Sequence, residues 1–161
     1  MYRSSGSIRP VIPVQQVKKS LQDDQELNIV ISKILSLDPP SARMIIRGTS
    51  ITAYRRVHEI ISGVLDRILD DIRGLRTTQQ KQLERVRNKL IELSKCLILV
   101  NYQEARNQIS SELANYLKEI INFATDTIRK SNNINTIESV ISRSRTLIDA
   151  YGVLVYKYGR K

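Results

Sequence analysis

Three basic residues at intervals of four, Lys81, Arg85 and Lys89, form the clearest chemical pattern in the sequence. At about 100° per residue, their side chains fall on one face of a helix. The opposite face of that helix is apolar and carries Leu83, Val86, Leu90, Leu93 and Leu97. Ammonium and guanidinium groups in such a row are suited to contact phosphates. The pattern predicts a helix that packs on one side and binds a polyanion on the other.

Further basic residues that could contact a polyanion lie on other predicted helices: Arg55, Arg56, Arg76, Arg143, Arg145 and Lys157. Their spread over several helices favours contact along a nucleic-acid backbone over base reading in one groove. For each residue, the alternative is an ordinary solvated helix face. Glu84 and Glu92 dilute the basic row and favour that alternative.

Residues that could catalyse a reaction or bind a metal are scarce. His58 is the only histidine, which excludes a histidine-rich metal site, and we expect it at the surface or at the edge of the core. The only cysteine, Cys96, lies in an apolar run and is expected to be buried. Asp70 and Asp71 point about 100° apart on a helix, which is a poor geometry for metal binding. We therefore predict a protein without catalytic activity, cofactor or metal.

Most carboxylates have a basic neighbour at helical spacing. Asp66 with Asp70 and Arg73, and Asp149 with Arg145, are expected to form surface charge pairs. Such pairs contribute about 0.3 kcal/mol each.

Net charge indicates the class of partner. The chain has 161 residues, a formal charge of +10 and a pI near 9.9. An excess of this size attracts polyanions, so nucleic acid is the expected partner. No apolar run approaches the roughly 18 residues of a membrane span, and the N-terminus lacks the apolar segment of a signal peptide. We therefore expect a cytoplasmic protein that does not contact membranes.

Apolar residues recur at spacings of three and four, which predicts an all-α fold, a compact bundle of about five helices. Residues 1–19 are expected to form a basic, flexible and irregular arm, because Pro10 and Pro13 oppose a helix. Residues 20–161 are expected to form one domain. The expected helices start near Ser20, at Ser50, at Thr77, before Leu113 and at Asn135.

Local signals define the ends of these helices. The first helix is expected to stop at residues 38–40, where two prolines follow an aspartate, and one or two further turns are expected at 41–46. Gly74 is expected to end the next helix in the left-handed conformation. Capping boxes are expected at Ser20 with Asp23, at Thr77 with Gln80, and at Asn135 with Glu138. A kink or break is expected at 97–101, where the apolar stripe fades.

The tyrosines divide into two groups by their position on the helices. One group occupies the apolar stripes and is expected in the core: Tyr54, Tyr116, Tyr151 and Tyr158. Tyr102 and Tyr156 lie off the main stripes, and we expect them at an interface.

A helix-turn-helix is a rival interpretation of the region around Gly74. In that arrangement Gln79 and Gln80 would be placed to read adenines in a major groove. Against it, both flanking helices are expected to be about twenty residues long. That length is typical of a hairpin in a bundle.

Two segments are similar to a known family. The segment Leu75-Arg76-Thr77-Thr78-Gln79 resembles the Leu-x-Thr-Thr-Gln signature of the small subunit of type III-A CRISPR effector (Csm) complexes. The closing helix, with Ala150-Tyr151 and a Val-Tyr-Lys-Tyr-Gly run at 155–159, resembles the tyrosine-rich and glycine-ended helix of that family. The resemblance covers residues 49–161, and residues 20–48 form an extension to it.

The resemblance implies a small, all-helical protein without catalytic activity. Several copies would stack along an effector with other subunits, beside the duplex of CRISPR RNA and target RNA. They would contact the RNA backbone without reading sequence, and the matching residues are Arg76 and Lys81, with Arg85 and Lys89 continuing their face. Two alternatives stay open: a helical nucleic-acid-packaging coat protein of an archaeal filamentous virus, and the helix-turn-helix regulator.

Overall fold

The computed structural model describes residues 10–74 and 78–161. These residues form eight helices: α1 (Val14–Ser20), α2 (Asp24–Leu35), α3 (Pro39–Ile46), α4 (Ile51–Arg73), α5 (Gln79–Asn88), α6 (Leu90–Ala105), α7 (Ser111–Lys130) and α8 (Ile134–Tyr158). Within this part of the chain there is no β-strand, only an isolated bridge between Ser50 and Arg160. The predicted all-α class is confirmed, and the predicted count of about five helices is wrong.

The extra helices at the N-terminal side follow from the prolines. Pro13 does not prevent a helix but precedes one, because a proline just before the first turn costs no intrahelical hydrogen bond. Residues 14–19, expected in an irregular arm, therefore form α1 together with Ser20, and Ile12, Val17 and Leu21 are fully buried. Of the rest of the predicted arm, residues 10–13 are irregular as expected, and residues 1–9 lie outside the described residues. In the same way Pro39 and Pro40 occupy the first turn of α3.

The N-caps of α2 and α4 show which predicted starts were right. Helix α2 does not begin near Ser20; Asp23 is its N-cap and accepts a hydrogen bond from the Gln25 amide at 2.7 Å. Ser50 is the N-cap of α4, as predicted, and accepts from the Ala53 amide. Gly74 ends α4 as predicted, but its φ of −84° is not left-handed.

Helix α5 is shorter than expected. Its N-cap is Thr78, whose hydroxyl accepts from the Lys81 amide at 3.4 Å, and the expected capping residue Thr77 lies outside the described residues. The helix is interrupted at Lys89, between α5 and α6. It is not interrupted at the predicted residues 97–101, which lie within the continuous α6. This break redirects the chain, and α6 buries Leu93, Cys96 and Val100.

The last two helices form most of the core with α4. Helix α7 buries a continuous stripe that runs from Leu113 to Ile128. Asn133, and not the predicted Asn135, caps α8 by accepting from the Asn135 and Thr136 amides. Helix α8 contacts α2, α3, α4, α5 and α7, so it is the central element of the bundle. None of the described helices has the length and apolar character of a membrane span.

Three buried tyrosines link the central helices. The rings of Tyr116 and Tyr151 stack at 5.1 Å between centroids. Tyr54 on α4 donates to the Ile148 carbonyl of α8 at 2.9 Å, and Tyr116 donates to the Ile12 carbonyl at 2.7 Å. Burial raises the pKa of all three phenols. The predicted core role of these tyrosines is confirmed, and Tyr158 packs half-buried against the core.

A junction at one end of the bundle joins five helix ends. Thr49 is buried there; its hydroxyl accepts from the Ser110 amide at 2.9 Å, and its carbonyl accepts from the Arg160 amide at 2.7 Å. The Ser110 hydroxyl donates to the Ile45 carbonyl, and the Ser50 amide donates to the Gln108 carbonyl. These bonds connect the ends of α3, α6 and α8 to the starts of α4 and α7.

The Tyr151 hydroxyl is buried without a hydrogen-bond partner among the described residues. Tyr151→Phe should therefore raise the free energy of unfolding by up to about 1 kcal/mol, because it removes an unsatisfied polar group. Tyr116→Phe is the matched control: it should lower that free energy by about 1 kcal/mol, because it leaves the Ile12 carbonyl without its donor. Urea denaturation measures both changes. Equal destabilisation by the two variants would contradict this packing.

Candidate nucleic-acid interface

The predicted basic row on α5 is shorter than expected. Lys81 and Arg85 are exposed and form no ion pair with the described residues. Lys89 lies beyond the end of α5, and its Nζ is 3.9 Å from an oxygen of Asp71. The fourth predicted residue of this region, Arg76, lies outside the described residues. Helix α5 therefore offers two free cations, not a continuous row of three.

Arg143 is a structural residue. Its Nε donates to Asp24 at 2.8 Å and its Nη1 donates to the Leu21 carbonyl at 3.3 Å. The side chain is 17% exposed, although Asp24 itself is 82% exposed. Arg143 thus connects α8 to α2, and two of its three guanidinium nitrogens are bonded within the protein.

Arg145 is also occupied by carboxylates. It donates to Asp66 of α4 at 3.1 Å and to Asp149 of its own helix, and Asp149 further accepts from His58 Nε2 at 2.6 Å. The predicted pairing of Asp149 with Arg145 is confirmed. The predicted pairing of Asp66 with Arg73 is wrong, because Arg73 crosses to Glu138 on α8 at 2.8 Å.

Arg55, Arg56 and Lys157 lie near the junction, in the early turns of α4 and the last turn of α8, and all three are exposed. The Arg55 guanidinium lies 5.8 Å from the centre of the Tyr156 ring, and its Nε donates to the Tyr156 hydroxyl at 3.1 Å. This hydrogen bond raises the pKa of Arg55 above its usual value. Arg55 therefore stays charged while it lies over an aromatic ring.

The junction brings further cations beside these three. Because α3, α6 and α8 end there and α4 starts there, basic residues from distant parts of the sequence surround it. We name this surface the basic end, and it comprises Arg43, Arg47, Arg55, Arg56, Arg106, Lys157, Arg160 and Lys161.

Arginines of the basic end lie over tyrosine rings. Besides Arg55 over Tyr156, Arg43 lies 5.6 Å from the centre of Tyr158 and Arg106 lies 5.4 Å from that of Tyr102. Tyr102 and Tyr156, the tyrosines predicted to lie at an interface, are 54% and 56% exposed. Guanidinium groups stacked on accessible tyrosines suit contact with phosphates and unpaired bases.

The acids near this surface do not form ion pairs with its cations. Glu59 lies close enough to Arg55 to contribute to its raised pKa. Asp149, which lines a cavity with Arg55 and Lys157, is bonded to His58 and Arg145. Glu104 and Glu112 lie nearest to the junction along the chain, and Glu104 is paired with Lys118 at 2.9 Å. Glu112 lines a small recess that also includes Arg47. The cations of the basic end form no ion pair with the described residues, so their field is directed outward.

Sequence reasoning did not select Arg43, Arg47 or Arg106. Each lies in or just after the last turn of a helix. The periodicity of an apolar stripe does not indicate which other helix ends lie near such a residue in the folded protein. One signal in the sequence was Gly48, since a glycine directly after a helix indicates a sharp turn. In the structure both Arg47 and Gly48 have positive φ, 34° and 76°, and Arg47 is exposed.

The two glutamines of the rival helix-turn-helix have different environments. Gln79 donates its side-chain amide to the Asn132 carbonyl at 3.3 Å, so its side chain is held against the α7–α8 turn. Gln80 is exposed. Helix α5 has 10 residues, so the expectation of two flanking helices of about twenty residues is wrong for α5.

The described residues contain no cluster of histidine, cysteine and carboxylate side chains that could hold a metal. Cys96 is fully buried, and burial raises its pKa to about 11. Comparisons of the chain with protein-family models, with curated proteins and with solved structures give no match. The family resemblance therefore rests on its two short motifs.

Arg143 and Arg85 differ in their predicted effect on stability. Arg143→Ala should lower the free energy of unfolding by about 1 kcal/mol, since it removes the contacts to Leu21 and to the exposed Asp24. Arg85→Ala should change it by less than about 0.5 kcal/mol. Thermal and urea unfolding of both variants provide the measurement. A larger loss of stability in Arg85→Ala would contradict this prediction, because it would show that the Arg85 side chain stabilises α5.

Proposed function

We propose that this protein is a non-catalytic RNA-binding subunit of a cytoplasmic type III CRISPR ribonucleoprotein and that it contacts the RNA backbone without reading sequence. The observation that carries the RNA-binding part is the basic end, where exposed cations without acidic partners are grouped with accessible tyrosines. The CRISPR part rests on the Leu75–Gln79 motif and on the tyrosine-rich close of α8.

Backbone contact explains the arrangement better than base reading. The cations of the basic end come from α3, α4, α8 and the segments after α3, α6 and α8, so they form a patch and not a single recognition helix. Each cation can neutralise a phosphate, whatever the base attached to it. Arginines on tyrosines add stacking surface, which also tolerates any sequence.

Single strands suit this surface better than a regular duplex does. Bases are accessible for stacking on Tyr102 and Tyr156 only where they are unpaired, and in A-form RNA the side chains reach mainly the backbone. In an effector, a strand or a duplex end would lie across the basic end. The α5 cations Lys81 and Arg85 follow the far end of α4, about 35 Å away along that helix. They would contact another part of the same RNA.

Assembly with other subunits or with further copies requires apolar contact surface. Helix α6 exposes Ile91 and Ile98, at 62% and 69% of their surfaces. Their spacing of seven residues places them along one side of that helix. This side supports the proposal that the protein associates with neighbours in a larger particle.

Four exposed cations can be changed together to test the basic end: Arg47→Gln, Arg56→Gln, Arg106→Gln and Lys157→Gln. We expect the affinity for single-stranded RNA to fall by about a hundredfold at low salt, because several phosphate contacts are lost. The slope of log affinity against log salt should fall by about 0.7 for each lost contact. Fluorescence anisotropy with a labelled strand measures both.

The matched control removes the same charge elsewhere, with Lys19→Gln, Lys95→Gln, Arg129→Gln and Lys130→Gln, all exposed positions outside the basic end and α5. It should weaken binding much less. Equal losses in the two variants would show that net charge alone determines binding, and would contradict the assignment. The double variant Lys81→Gln and Arg85→Gln measures separately how much α5 contributes to the RNA affinity.

A further inference from the structure

A cavity of about 450 Å³ opens between α4 and α8, beside the basic end. Its volume lies within the range of about 300–1,000 Å³ that is common for small-ligand sites. Tyr54 and Gly152 contribute to its inner side, Val153 and Tyr156 are apolar parts of its lining, and His58 and Asp149 supply polar groups. Arg55 and Lys157 bring positive charge to it. This combination of aromatic, acidic and basic groups suits one nucleotide.

Gly152 leaves space beside the Tyr54 ring. A Cβ atom at this position would lie 3.5 Å from Cε1 of the Tyr54 ring, in ordinary contact, so a larger side chain would occupy the space beside that ring. The Tyr54 hydroxyl is already bonded to the Ile148 carbonyl. Tyr54 is 1% exposed, so its ring forms only the floor of the cavity, and its hydroxyl needs no hydrogen-bond partner from a ligand.

Tyr156 supplies a stacking surface. The side chain is 56% exposed even though Arg55 lies over its ring and hydrogen-bonds its hydroxyl. A hydroxyl held in this way restrains the ring, which lowers the entropy lost when a base stacks on it. Every base has a π-face, so stacking alone does not discriminate between bases.

Asp149 is the residue that would distinguish one base from another. Its Oδ1 accepts from both His58 and Arg145, whereas Oδ2 has no hydrogen-bond partner among the described residues. A carboxylate oxygen accepts hydrogen bonds and donates none. Oδ2 would therefore accept from the exocyclic amino group of adenine, cytosine or guanine. Uracil has no amino group, and its one donor on the pairing edge, N3–H, lies between two carbonyl oxygens that a carboxylate repels.

We propose that this cavity binds one unpaired, amino-bearing base of the bound RNA, stacked on Tyr156 and hydrogen-bonded to Asp149, with its phosphate at Lys157. The inference rests on the proposed RNA binding and departs from its sequence independence at one position, where the cavity prefers some bases to others. It concerns a base in a strand and not a free nucleotide, because the cations of the basic end continue from the cavity and would hold the adjoining phosphates.

The test compares two labelled strands, an oligouridine and the same oligouridine with one central adenine, on the full-length protein. The wild-type protein should bind the adenine strand about fivefold more tightly or better. Val153→Phe fills the cavity from its half-buried rim and should abolish this preference while oligouridine binding persists. Gly152→Leu should do the same from the inner side. Ile29→Phe, which adds the same ring to an exposed position of α2, should retain the preference.

Each result decides the inference. Equal affinity of the wild-type protein for the two strands, or an unchanged preference in both filled variants, would overturn the base site while the proposed RNA binding stands. Failure of the wild-type protein to bind either strand would overturn both proposals. Adenosine monophosphate that binds as tightly as the adenine strand would assign the cavity to a free nucleotide and overturn the inference. Circular dichroism establishes that each variant is folded.

Discussion

The packing of α8 against α4 is the contact on which the other elements depend. Helix α8 also contacts α2, α3, α5 and α7, so much of its circumference is buried. The two helices run in opposite directions, as shown by the contacts from Arg55 to Tyr156 near one end and from Arg73 to Glu138 near the other. This antiparallel register places the start of α4 beside the end of α8.

The basic end follows from that register. Once α4 and α8 are aligned, the bonds around Thr49 bring in the ends of α3 and α6 and the start of α7. Cations grouped in this way repel each other and oppose the compact state. Stacking of Arg43, Arg55 and Arg106 on tyrosine rings offsets part of that repulsion without neutralising the charge. The charge therefore stays available to a polyanion.

Sequence patterns predicted the features that depend on residues close together in the chain, which are long helices and some of their caps. Long amphipathic stripes identified α4, α7 and α8, and Ser50 was identified as a cap because its hydroxyl bonds within one helical turn. Short α1 and the break at Lys89 were missed, because neither has a long stripe. The basic end was missed in part, since the proximity of Arg43, Arg106 and Arg160 is tertiary. For the same reason the sequence did not indicate that Arg143 pairs with Asp24 of α2 or that Arg145 pairs with Asp66 of α4.

Photo-crosslinking tests the central claim, that RNA lies across the basic end, most directly. Single-stranded RNA containing 4-thiouridine is bound to the full-length protein at low salt and irradiated, and the crosslinked peptides are identified by mass spectrometry. We expect crosslinks in the peptides that carry Tyr102, Tyr156 and Tyr158, and an excess of unlabelled RNA should suppress them. Crosslinks confined to other helices, with these three peptides unmodified, would contradict it.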